Sequence, residues 1–256
     1  MALSGFAWYQ GEADTKDEAS AKAYACSFPA LIQGWRAAFA DPDEESAMGS
    51  DKYFGFVQLS TWCALPAESL AQMRQAQLAA LALPRVAVAT NADHGDGCYI
   101  HPHNKRPCGT RLGDTALHLV YGGQSQKSPT YLSASGSTSG GSTVVTVQLS
   151  DAGLLELRPP ANMRPDGANN TVDCAAENAK VPNTCAWGAV ELAGHGWLNA
   201  TTVGVQGNTM KLTVSGKGSV VATAYGWGAI PMMSVYDSVT SLPVLPWNSS
   251  WNSSVG

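Results

Sequence analysis

The stretch Tyr99-Ile100-His101-Pro102-His103-Asn104-Lys105 holds the residue best suited to chemistry, an imidazole that can take and return a proton near neutral pH. A run of Gly, Asp and His precedes it, Asp93-His94-Gly95-Asp96-Gly97, so carboxylates and flexible turns lie beside the ring in sequence. A second unusual stretch, Trp8-Tyr9-Gln10-Gly11-Glu12, closes a strand-like segment with an amide, a glycine and a carboxylate in succession. A lone loop histidine is ordinarily satisfied by backbone partners. It is the company of the second stretch that makes His101 a candidate for catalysis.

The elements on either side must hold His101 in place. Val86-Ala87-Val88-Ala89 reads as an apolar strand, and Leu112, Ala116, Leu117 and Val120 recur at helical spacing over about 107–120. His101 therefore falls on a loop at a strand end, where α/β proteins place working residues on a rigid scaffold open to solvent. Earlier, residues 5–10 read as a short buried strand. Residues 15–39 read as a helix with Phe28, Ile32 and Trp35 on its apolar face and Pro29 as a break or kink. Residues 53–59 are aromatic and branched, another buried strand, and 68–78 are a helix by propensity. Such alternation implies an α/β fold, a mostly parallel sheet with helices on its faces.

After Tyr121 the composition changes. Residues 122–141 are rich in Gly, Ser and Thr, which sets a boundary between a first domain, 1–122, and a second, 123–256. Strand-like runs at 143–149, 189–192, 209–214 and 220–225, separated by turn residues, imply a small antiparallel β-sandwich. The tail holds Trp227, Tyr236 and Trp247 and should pack back onto the body, because so many aromatics do not stay solvated.

Only 14 % of the 256 residues are charged and 45 % are hydrophobic, which fits a globular chain with ample core. A net charge of −5 gives no electrostatic reason to expect nucleic acid or an anionic membrane as a partner, and no apolar run reaches the ~20 residues of a membrane span. Of the cysteines, Cys174 and Cys185 bracket a short Asn/Pro loop, Cys98 and Cys108 bracket His101, and Cys26 with Cys63 is a third conceivable pair. Their spacing is not that of a zinc site, so disulfides or buried thiols fit better than a metal. We expect a Cys174–Cys185 disulfide. Sequons at Asn169, Asn199, Asn248 and Asn252 favour a secretory route together with the cysteines, although Met1-Ala2-Leu3 opens no signal peptide. The expectation is a secreted, lysosomal or endomembrane protein whose leader lies upstream of Met1.

Several stretches taken in order resemble the sialate O-acetylesterases, serine esterases of the SGNH-hydrolase type. They are Trp8-Tyr9-Gln10-Gly11-Glu12, Phe28-Pro29-Ala30-Leu31-Ile32 with Trp35-Arg36, Phe54-Gly55-Phe56-Val57-Gln58-Leu59, and Ile100-His101-Pro102 with Asn104-Lys105. Ala224-Tyr225-Gly226-Trp227 and Ser241-Leu242-Pro243-Val244-Leu245-Pro246-Trp247 extend the likeness to the end of the chain. The resemblance implies a three-layer α/β/α domain, here incomplete, followed by the sandwich. It also implies an acyl-enzyme route without a cofactor or metal, cleaving acetyl esters of sialic acid or a related O-acetylated sugar. His101 matches the family's histidine. Gln10 and Gly11 match the segment that faces the developing oxyanion, and Glu12 would order that loop. The family's acidic partner often sits two or three residues before the histidine, where this chain has Tyr99 and Cys98. Asp96 is the expected substitute, swung toward His101 on Gly97, with Asp93 behind it.

The resemblance places the nucleophile on a strand before Trp8, upstream of the start of this chain. Gly123-Gln124-Ser125-Gln126 resembles the Gly-Gln-Ser-Asn element but follows a helix, after His101, and reads as coincidence; Ser60 is weaker still. On this reading the isolated chain has little esterase activity. The alternative is a non-catalytic glycan-binding protein that keeps the pocket, with His103, Trp62 and Trp8 available to a sugar.

Overall fold

The computed structural model describes residues 3–40, 51–63, 66–124, 126–160 and 172–251. Strand β2 (Tyr53–Gln58) is buried along its whole length, as its uninterrupted aromatic and branched sequence requires. It lies between β1 (Gly5–Trp8) and β3 (Val86–Thr90), and both pairings are parallel. Alternation sends its side chains to two covered faces. Phe54 and Phe56 meet Ala21, Tyr24, Phe28 and Ile32 of α1 (Glu18–Ala38), with Leu70 and Met73 of α2 (Ser69–Gln77) in the same cluster. On the opposite face the Tyr53 hydroxyl reaches α3 (Arg106–Tyr121), 2.7 Å from Thr115 Oγ1 and 3.2 Å from the Leu112 carbonyl. Gly55 lets that ring pass, since a Cβ there would sit 1.9 Å from the Tyr53 hydroxyl.

Helix α1 begins where the Asp17 carboxylate accepts the Ser20 N–H at 2.7 Å. It then continues through Pro29, where the sequence suggested a break. The buried side chains of Phe28 and Ile32 hold the turn on either side, and packing outweighs the hydrogen bond that proline lacks.

The second half is built from antiparallel strands. β4 (Thr130–Ser139), β5 (Ser142–Ser150), β10 (Thr202–Gln206) and β11 (Thr209–Ser215) form one sheet in the order β10-β11-β5-β4. Another contains β8 (Gly188–Leu192), β9 (Gly196–Asn199), β12 (Val220–Tyr225) and β15 (Trp247–Asn248), ordered β15-β12-β8-β9. Val145, Val147, Met210 and Leu212 from the first share one core with Val190, Leu192, Tyr225 and Trp247 from the second. Short pieces complete the half: β6 (Leu155–Leu157) pairs with β14 (Val235–Asp237), and β7 (Cys185–Ala186) with β13 (Ile230–Pro231). Helix α4 (Cys174–Lys180) is fastened to β7 by the Cys174–Cys185 disulfide expected from sequence, with a Cα–Cα distance of 5.6 Å. Trp227, Tyr236 and Trp247 are buried, as the tail's composition required.

The Gly/Ser/Thr stretch after Tyr121 is a linker only at its start. From Thr130 it is a strand, joined to β5 by a turn at Gly140-Gly141. Both glycines have positive φ, +59° and +98°, the backbone that a two-residue hairpin needs, so the glycine-rich composition there marks a hairpin turn.

Arg74 joins the two halves. Its side chain is 1 % exposed, and its guanidinium donates to the carbonyls of Leu59, Ser60, Gly228 and Ala229 at 2.8, 2.6, 2.8 and 3.0 Å. Burial pulls its pKa down to about 9, which leaves it charged at neutral pH. Replacing Arg74 with Ala strips the Leu59, Ser60 and Gly228 carbonyls of their donor, leaves Ala229 only the Trp62 N–H at 3.4 Å, and should cost ~3 kcal/mol or more. Arg74→Lys should recover little, because an ammonium cannot fan out to four carbonyls. Urea unfolding of both variants checks this, and a lysine variant of full stability would contradict it.

Candidate functional site

The C-terminal ends of the three parallel strands converge, the place where open α/β sheets present reactive groups. From β1 come Tyr9, Gln10 and Gly11; from β2, Ser60 and Thr61; from β3, Asn91, Asp93 and His94. Tyr9 binds these ends together. Its hydroxyl accepts from Asn91 Nδ2 at 3.3 Å, and Lys105, just past the His101 loop, lies over its ring at 4.9 Å. Burial pushes the Tyr9 hydroxyl up to about 12, so it stays neutral and serves as a hydrogen-bonding strut.

Gly11 is buried at φ +140°, a backbone conformation that a side chain would strain, and it turns the chain from β1 into a short 3-10 turn at Glu12–Asp14. The Gln10 side chain is already engaged: its Nε2 donates to Asp14 at 2.7 Å and its Oε1 accepts from the Tyr24 hydroxyl at 3.1 Å. Gln77 Nε2 approaches the Gln10 carbonyl at 3.3 Å. The Glu12 carbonyl accepts from Thr15 Oγ1 at 2.7 Å, which orders the turn through its backbone.

His101 is exposed, with its ring edge-on to Tyr99 at 6.1 Å between centroids, and it makes no hydrogen bond among the described residues. Asp96 does not orient it. The buried Asp96 carboxylate instead accepts both the backbone N–H and Nδ1 of His103, each at 2.6 Å. Gly97 is indeed at positive φ (+60°), but the turn it makes brings Tyr99 N–H to the Asp96 carbonyl at 3.1 Å and stacks Tyr99 on His103 at 5.4 Å. The histidine two positions further on lies under the carboxylate because this turn folds the loop back. Separation in sequence could not reveal that.

Asp93 is likewise engaged elsewhere. It is fully buried and held by Arg111 at 2.6 and 2.8 Å, by the Tyr236 hydroxyl at 3.1 Å and by His94 Nε2 at 3.5 Å. Burial pushes its carboxyl upward, yet Arg111, His94 and Tyr236 together outweigh burial and hold it below the usual range. This anchor ties β3, α3 and the second half at one point, and sequence reading missed its role. The available signal was an arginine beside the apolar positions of α3.

Disulfide pairing also differs from the bracketing read in sequence. Cys63, just past β2, pairs with Cys98 in the His101 loop, while Cys26 is exposed and Cys108 buried as free thiols. The bridge staples the loop to the neighbouring strand end. The two sulfurs and the Glu177 carboxylate lie within 4.8 Å, but the disulfide removes the thiolates that would bind a metal. Ser60 is buried and its hydroxyl donates to the His94 carbonyl; Ser125 and the sequons at Asn169 and Asn252 lie outside the described residues.

No family model matches the chain. Among known proteins it is similar to the sialate O-acetylesterase of Homo sapiens, 27 % identical over 268 residues that cover 96 % of this chain and 46 % of the human protein. Likeness to the Rattus norvegicus sialate O-acetylesterase is 31 % over 137 residues, covering 48 % of this chain and 24 % of that protein. Among solved structures it is similar to a carbohydrate acetylesterase from Xanthomonas citri, with a TM-score of 0.72 and 27 % identity over 98 % of this chain and 51 % of that one. The chain thus spans about half the length of the relatives it matches end to end. It is sialate O-acetylesterase-like, with the α/β fold of a carbohydrate acetylesterase over that span.

Removing Arg111 tests the anchor. With the folded pKa of Asp93 depressed, its stabilisation is complete above the unfolded value of ~3.9 and is lost as pH falls through the folded value. Arg111→Met leaves burial to dominate and should cost ~3–5 kcal/mol at neutral pH. In the variant the folded pKa lies above the unfolded one, so the deficit should shrink on acidification to about pH 4. Urea midpoints across that range check it; parallel profiles for the two proteins would refute it.

The Cys63–Cys98 bridge closes a loop of sequence separation 35, worth ~4 kcal/mol in the chain-entropy account. Cys63→Ser should lower the melting temperature and raise amide exchange across residues 95–105, measured by hydrogen–deuterium exchange.

Proposed function

We propose that this chain carries the histidine-bearing side of an esterase that removes acetyl groups from sialic acid or a related O-acetylated sugar. The observation that carries the reading is its end-to-end similarity to acetylesterases of carbohydrates. In this reading residues 1–122 belong to an SGNH-type α/β/α esterase domain and residues 123–256 to a β-sandwich domain. Two disulfides suit the oxidising compartment of a secreted or lysosomal enzyme.

His101 is the general base. Exposed at the tip of its loop, it takes the proton of a serine hydroxyl as the serine oxygen bonds to the acetyl carbon. In this reading the tetrahedral oxyanion forms beside Gln10 and Gly11, with Glu12 ordering the turn that follows Gly11 at positive φ. The ester bond then breaks, the sugar oxygen leaves with the proton from His101, and water repeats the sequence to release acetate. Asp96 is a positioning residue that acts through His103 to hold the loop.

Strand β1 pairs with β2 alone among the described residues. The reading gives its other edge to a further parallel strand that presents the serine. Ser60, buried and bonded to a backbone carbonyl, is unsuited to the task.

A direct test fuses the portion of the Xanthomonas citri acetylesterase that this chain does not match to the 256 residues, and follows acetate release from O-acetylated sialic acid and p-nitrophenyl acetate. The fusion should turn over, and His101→Ala should lower its rate by ~10²–10⁴-fold. The unfused chain should show little turnover, unchanged by Ser125→Ala. An inactive fusion, or one indifferent to His101→Ala, would count against the assignment. Robust activity of the unfused chain that disappears in Ser125→Ala would move the nucleophile to Ser125.

A further inference from the structure

The sheet β15-β12-β8-β9 has one face in the core and one turned away. Val190, Tyr225 and Trp247 point inward and Leu198 packs against the same core, so alternation sends their neighbours Ala189, Ala224, Asn248 and Asn199 to the other face. These four are in register: Asn248 opposite Ala224, Ala224 opposite Ala189, Ala189 opposite Asn199. They form one row across the sheet, roughly 14 Å long at ~4.8 Å per strand, with small residues in the middle and an amide at each end.

The row floors a cleft of about 300 Å³. That lies at the lower end of the ~300–1,000 Å³ typical of small-ligand sites. Trp187 and Trp197 line it while remaining 39 % and 43 % exposed, although a chain with free choice buries such rings. Its wall at α4 is rigid. Asn178 exchanges two hydrogen bonds with the Cys185 backbone, 3.1 and 2.8 Å, beside the Cys174–Cys185 bridge. At the floor's end, Asn248 Oδ1 accepts from Ser250 N–H and Oγ at 2.9 and 2.8 Å, which leaves its amide nitrogen to donate. Glu68 is the one charged residue among those lining the cleft.

We propose that this cleft is a saccharide-binding site for a neutral oligosaccharide. Pyranose rings offer an apolar C–H face and a rim of hydroxyls. The exposed indoles of Trp187 and Trp197 match the face, while the Asn199 and Asn248 amides and the Glu68 carboxylate match the rim. The Glu68 carboxylate selects against acidic sugars. None of the lining residues belongs to the His101 loop or to the Gln10-Gly11-Glu12 turn, so the site goes beyond the proposed hydrolysis and stands whether or not the chain cleaves esters.

The test uses the full chain made in a host without N-glycosylation, so that Asn199 and Asn248, each heading a sequon, present free amides. Tryptophan fluorescence is titrated with xylohexaose, mannohexaose and 3′-sialyllactose up to millimolar concentration. Saturable binding of a neutral hexasaccharide is expected, weakened roughly tenfold or more in Trp187→Ala and Trp197→Ala, whose melting temperatures should match the parent because both rings are surface-exposed. Glu68→Gln should narrow the preference for neutral over sialylated sugar. No saturable binding of either hexasaccharide, undiminished affinity in both tryptophan variants, or tighter binding of 3′-sialyllactose by the parent would each overturn the proposal.

Discussion

A buried cation with no carboxylate among its hydrogen-bond partners holds this protein together. Arg74 satisfies its guanidinium on four main-chain carbonyls, two at the end of β2 and two in the segment after β12. Moving an arginine out of water is costly, and only dense hydrogen bonding offsets the loss. The consequence is geometric. The carbonyls of residues 59, 60, 228 and 229 must all face one point, so the end of the central parallel strand and the turn beyond β12 cannot move independently. Trp227, next to that turn, packs with Ala71 of α2 and Ala224 of the antiparallel sheet, so the same junction brings α2 against the face that carries the tryptophan-lined cleft.

A second constraint acts on the His101 loop. A chain of this length between β3 and α3 has no regular hydrogen bonding to hold it, and its order comes from local ties. Cys63–Cys98 fixes one side to β2, Asp96 clamps His103 on the other, and Asp93 with Arg111 secures the base of the loop to α3. The two carboxylates nearest in sequence to His101 are thus both used for structure. Their burial explains why: a buried charge must find a partner, and each has one that is closer than His101. The imidazole itself stays exposed, available to a group that approaches from outside the loop.

The edge of β1 and the cleft on the antiparallel sheet are unlike each other. An unpaired strand edge exposes main-chain donors and acceptors and favours another strand. The cleft hides its main chain within the sheet and shows indoles and amides, which favour a small amphipathic ligand.

Periodicity in the sequence by itself determines most of the fold. The parallel strands, the helices that cover them, the strands at 143–149, 189–192, 209–214 and 220–225, and the burial of the tail all follow from apolar spacing and turn residues, which are local signals. The order of short motifs likewise revealed the acetylesterase likeness, because each motif is contiguous. Pairings between distant segments were not legible. That Asp96 holds His103, that Cys63 meets Cys98 and that Arg74 gathers carbonyls from both halves depend on which loops the sheet brings side by side. The cleft was invisible for the same reason. Asn199, Ala189, Ala224 and Asn248 are unremarkable in sequence and become neighbours only through strand register, which hydrogen bonding between strands sets and no single segment encodes.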